Sequence, residues 1–187
     1  MPEVTECAFF GGAREKLNRL GLKCIWNELE NVLTDFELHS GNRNNITGRL
    51  SLRNLIDERF RSLVAWQLKR GGYWAGCHKI YGIRAYLGVR MQFSVTPQSD
   101  RLFVDLQYLC DGIIRGQIDV GALVVPSDNP TSLPKGHVAR YSDAVKAVER
   151  ARASDLPLAV LALEHDGPGP ALIKRQTRQG KKLAGKT

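Results

Sequence analysis

Between Gly76 and Val125 the hydrophobic period switches from two to nearly four and then gives way to an unbroken apolar run, which confines this stretch to strand, strand, helix, strand. Two strand-like segments, 76–83 and 86–94, come first. In the second, Val89, Met91 and Phe93 fall on one face while Gly88, Arg90, Gln92 and Ser94 fall on the other. Leu102 to Ile114 follows with helical spacing. Ile118-Asp-Val-Gly-Ala-Leu-Val-Val125 then reads as a strand buried on both faces, the form that parallel sheets require.

The flanking segments extend this order. A short helix is expected over 12–20, ending at Gly21, then a strand over 22–25 and a helix over 26–36 built on Trp26, Leu29, Val32 and Leu33. The polar stretch Ser40 to Gly48 reads as a loop. Ser51 is placed to cap a long helix running to about Arg70, with Gly71-Gly72 as its stop. Further on, 142–153 is helical and 157–163 is another buried strand. The expected fold class is α/β, a single domain over 1–166 with a central mixed sheet flanked by helices.

A chain of 187 residues with 43% hydrophobic content buries one sizeable core. It has no apolar run of roughly 18 residues and no secretory pattern at its start, so a soluble, cytoplasmic protein is expected, away from membranes. Cys7, Cys24, Cys77 and Cys110 are scattered without a Cys-x-x-Cys pair and read as small buried hydrophobes. His39, His78, His137 and His165 form no ligand or base pattern.

Net charge is +8, but six basic residues and no acidic ones lie beyond Gly167, so the remainder carries only +2. Composition predicts a disordered tail over 167–187, in which Lys174, Arg175, Arg178, Lys181 and Lys182 are candidate phosphate contacts or, equally, a solubilising end. Tyr73 and Trp74, beside a glycine turn, suit either base stacking or closure of a core edge.

The succession His78-Lys-Ile-Tyr81, Arg90-Met-Gln92-Phe-Ser94, Ser99-Asp-Arg-Leu-Phe-Val-Asp105-Leu and Ile118 to Val125 resembles the core of the BglII-type and BamHI-type restriction endonucleases, of the PD-(D/E)xK superfamily. The resemblance implies a restriction endonuclease-like fold, duplex DNA as partner and a homodimer. In such enzymes strand carboxylates hold magnesium at the scissile phosphate. Carried over residue by residue, the aspartate position is Tyr81, the glutamate position is Arg90 and the amide position is Gln92. Losing two carboxylates and gaining a guanidinium raises the local charge by about three units, which disfavours a divalent cation.

The expectation is therefore a DNA-binding pseudo-nuclease with no metal ligand and no cofactor. Arg90, with Gln92 and Lys79, is a candidate for direct phosphate contact, or Arg90 pairs with an acid such as Asp105. The alternatives are a magnesium-dependent endonuclease with ligands relocated to Glu58 and Asp105, or an interaction protein that keeps the fold and has left DNA.

Overall fold

The computed structural model describes residues 2–35, 52–70, 72–80, 82–93, 99–129 and 139–164. Among these, the strands are β1 (Glu3–Phe9), β2 (Trp66–Lys69), β3 (Tyr73–Ile80), β4 (Ile83–Met91), β5 (Val120–Pro126) and β6 (Leu158–Glu164). The helices are α1 (Ala13–Arg19), α2 (Lys23–Thr34), α3 (Leu52–Ser62), α4 (Ser99–Ile114) and α5 (Tyr141–Arg150). All six strands join one mixed sheet in the order β1-β6-β5-β4-β3-β2. β4, β5 and β6 are mutually parallel, while β1 runs against β6 and the β2-β3-β4 meander is antiparallel.

Sequence period explains the layers. Every residue of β5 is buried, as its position between two parallel neighbours demands. Val120, Ala122 and Val124 face a core shared with Leu17, Leu29 and Phe60 from α1, α2 and α3. Leu123 and Val125 face the opposite core, shared with Leu106 and Leu109 of α4 and Val148 of α5. Each fully buried leucine of this kind contributes roughly 1.5–3 kcal/mol. The α/β class and the restriction endonuclease-like arrangement expected from the sequence are both present.

Several boundaries differ from expectation. Leu22 to Ile25 is the start of α2 and not a strand, because Leu22, Ile25, Leu29, Val32 and Leu33 make one buried helical face. The helix expected to reach Arg70 stops at Ser62. Trp66 leaves the helical path to pair with Gly76, and its ring packs 4.6 Å from that of Phe60 while its indole N–H donates to Glu28 at 2.9 Å. Leu68, within the span expected to be helical, is 53% exposed on β2. Gly72, with φ +73°, therefore serves the β2–β3 turn.

The β3–β4 hairpin sits about three residues earlier than the period alone places it, since Gly82 at φ +87° makes its turn. The edge strand β1 carried no clear alternation and was not expected. Its register with β6, from Glu3 opposite Glu164 to Phe9 opposite Ala159, slips between Val4 and Glu6. The loop expected at Ser40 to Gly48 and the cap at Ser51 lie outside the described residues.

Candidate nucleic-acid interface

Alternation along β4 sends Gly88 and Arg90 toward α4. At Gly88 the missing side chain leaves room for Ile118, whose Cδ1 would stand 2.5 Å from a Cβ placed there. Two residues on, Arg90 extends to α4, where its Nε donates to Asp105 Oδ1 at 2.8 Å and Nη2 reaches the same oxygen. The two side chains are only 10% and 11% exposed. The guanidinium carbon also lies 4.7 Å from the centre of the Tyr108 ring, one turn further along the helix.

This is a desolvated, charge-assisted pair linking β4 to α4. Of the two partners weighed for Arg90, the structure places its Nε and Nη2 on Asp105. Gln92 is buried at 6% exposure, and its backbone N–H donates to Val124 O at 2.9 Å, extending the parallel ladder past β4.

Register fixes what can stand beside Arg90. Trp74 pairs with Val89, so Gly72 and Tyr73 belong to Arg90's end of the hairpin, and a Cβ on Gly72 would lie 3.2 Å from an Arg90 nitrogen. Tyr81 lies outside the described residues. Its neighbour Ile80 pairs with Ile83 at the turn, separated from Arg90 by most of β4, or roughly 20 Å of strand. The seven-residue step from Ile83 to Arg90 thus runs along the hairpin's length and not across its width.

The relocated ligand pair does not assemble either. Glu58 is exposed on α3, which packs against one face of the sheet, whereas Asp105 is on α4 against the other. Magnesium calls for hard oxygen anions. At Arg90 the chain supplies a cation, at Gln92 a neutral amide, and the Asp105 carboxylate is held by the guanidinium; these residues do not fit the ion. No group of three or more His, Cys, Asp or Glu among the described residues is arranged to hold a metal.

Elsewhere, Lys79 is exposed on β3 and registers with exposed Arg84, giving the hairpin two solvent-facing cations. His78 Nδ1 sits 3.2 Å from Cys24 Sγ. Asp119 bridges strands, its carboxylate accepting from the Tyr86 backbone N–H at 2.9 Å. Trp74 closes the core, stacked on Phe60 and donating to Asp57 at 2.7 Å. Tyr73 instead lines an open cleft beside Arg90, and burial pushes its phenol pKa up. Sequence reasoning did not find that cleft, whose walls come from segments remote in the chain. Lys174, Arg175, Arg178, Lys181 and Lys182 lie outside the described residues.

Residues 5–163 match the family model described as restriction endonuclease BglII/BglIII. No curated protein matches the chain. No helix among the described residues is long and apolar enough to cross a membrane.

Proposed function

The chain belongs to the BglII/BglIII restriction endonuclease family, and from that premise we propose that it binds duplex DNA, as a homodimer, and leaves the phosphodiester intact. One observation carries the second half. Where the family resemblance implies a metal-ligating glutamate, an arginine whose side chain is only 10% exposed stands in an ion pair with Asp105. Such a position repels a divalent cation and offers no base for water. Phosphate attraction then falls to exposed Lys79 and Arg84 on the hairpin and to the basic residues from Lys174 to Lys186, and Arg90 serves to fix α4 on the sheet.

Supercoiled plasmid incubated with the protein in magnesium or manganese, against a chelator control, tests this directly. Retarded but un-nicked plasmid, with affinity falling as salt rises, is the expected result. Metal-dependent nicking that survives repurification and disappears in a Glu58→Ala or Asp105→Asn variant would establish the working nuclease instead. Absence of duplex binding even at low salt would favour an interaction protein that retains the fold.

A further inference from the structure

A cavity of about 790 Å³ opens beside the Arg90–Asp105 pair, between the β2–β3 turn and the C-terminal part of α4. That volume lies within the roughly 300–1,000 Å³ usual for sites that take small molecules. Its lining combines two chemistries. Tyr73, Tyr86 and Tyr108 supply aromatic surface from β3, β4 and α4, and among the described lining residues Lys69, Arg70 and Arg115 supply three cations against the carboxylate of Asp111. Tyr73 is buried, whereas Tyr108 keeps 43% of its surface exposed.

Tyr108 is also held in place. Arg90 lies over its ring, and Asp105 in turn anchors the guanidinium, so the ring is oriented before any ligand arrives. The Tyr73 hydroxyl donates to the Gln117 side-chain oxygen at 3.5 Å, joining β3 to the segment after α4 across the cleft. A simple anion makes no use of three aromatic rings. A neutral aromatic ligand makes no use of exposed Arg70 and Arg115. Rings and cations together suit a ligand with a flat π surface and a phosphate, the pairing by which proteins hold unstacked nucleotides.

The geometry points to this cleft as a site for one unstacked nucleotide, its base against Tyr108 and its phosphate on Arg70 and Arg115. The inference deepens the DNA-binding proposal and rests on it for the source of the nucleotide. The nucleotide comes either from a distorted or single-stranded stretch of DNA or from free solution; the chemistry of recognition is the same.

Titrating the full-length protein calorimetrically with deoxyadenosine monophosphate, with inorganic phosphate and with a deoxyadenylate trinucleotide tests the assignment. The mononucleotide should bind at least about fivefold tighter than phosphate, and Tyr108→Leu should remove that advantage. Arg115→Glu should weaken mononucleotide and phosphate alike, whereas Lys23→Glu, an equal charge change at an exposed position of α2, should weaken neither. Tighter binding of the trinucleotide identifies a strand as the source, and equal binding a free nucleotide. A mononucleotide no better than phosphate, or indifferent to Tyr108→Leu in a variant with unchanged thermal midpoint, overturns the site. Duplex affinity measured on the same samples separates the two readings: wild-type protein that binds duplex and ignores nucleotides sinks the cleft alone, and the reverse sinks only the duplex proposal.

Discussion

Arg90 on β4 and Asp105 on α4 neutralise one another in a nearly dry contact that ties the central sheet to the helix packed on it. Breaking a buried pair leaves one charge stranded, whereas replacing both partners removes the problem together with the bond. Asp105→Ala is therefore expected to lower stability by roughly 3–5 kcal/mol in urea unfolding, while Arg90→Met combined with Asp105→Leu stays near wild type. A single variant that costs under about 1 kcal/mol would show that the pair is open to water in solution.

Reversing the sign at the same position should create what the wild type lacks. Arg90→Glu places a second carboxylate toward Asp105, giving a hard, anionic site that divalent cations relieve. Manganese is expected to raise the thermal midpoint of Arg90→Glu and to leave that of the wild type unchanged. Equal shifts in both proteins would place any metal site elsewhere.

Thiol chemistry should separate Cys7 from Cys24. Burial, reinforced by the Glu30 carboxylate and only partly opposed by Arg14, pushes the Cys7 thiol up to about 12. At pH 8 the reactive thiolate is then about one part in ten thousand. Cys24 is exposed. Iodoacetamide at that pH is expected to modify Cys24 well before Cys7, as read by mass spectrometry of the digested protein, and denaturant should abolish the difference.

Gly88 tests the slot beside the ion pair. An added Cβ meets Ile118 Cδ1 at 2.5 Å and Cγ2 at 3.1 Å, too close for the neighbours to remain where they are. Gly88→Ala should cost about 1–3 kcal/mol. Ile118→Val, which removes the nearer methyl group, should recover part of that loss, with a coupling of at least about 0.5 kcal/mol in a double-mutant cycle.

Basic residues beyond Gly167 should govern the salt dependence of DNA binding. A chain truncated after Gly167 loses six cations and is expected to show a log K against log salt slope shallower by up to about 5, with the same thermal midpoint. An unchanged slope would assign phosphate attraction to the hairpin cations.

Legibility in the sequence followed the strength of local periodicity. β4, β5 and β6 and the helices α4 and α5 could be read because Val89, Met91 and Phe93 alternate and because β5 and β6 are apolar throughout. Trp66 to Lys69 could not be read, since its apolar residues continue the helical spacing of α3 and only pairing with β3 selects the strand. The candidate site shows the same division. Arg90 and Asp105 were recognisable as a possible pair, but the position of the hairpin turn, which carries Ile80 and Ile83 far from Arg90, depends on tertiary register. The tyrosine cleft gathers Tyr73, Tyr86 and Tyr108 from three elements, and linear spacing carries no trace of that meeting.

The pairing of β1 with β6 ties the earliest described strand to the last. At translation rates of about 5–20 residues per second, roughly 8–30 s separate the emergence of these two segments from the ribosome. Throughout that interval the amides and carbonyls of Glu3–Phe9 lack their eventual ladder, so nascent copies on neighbouring ribosomes present the same unpaired edge to one another, and chaperone protection matters most before Leu158–Glu164 has been synthesised.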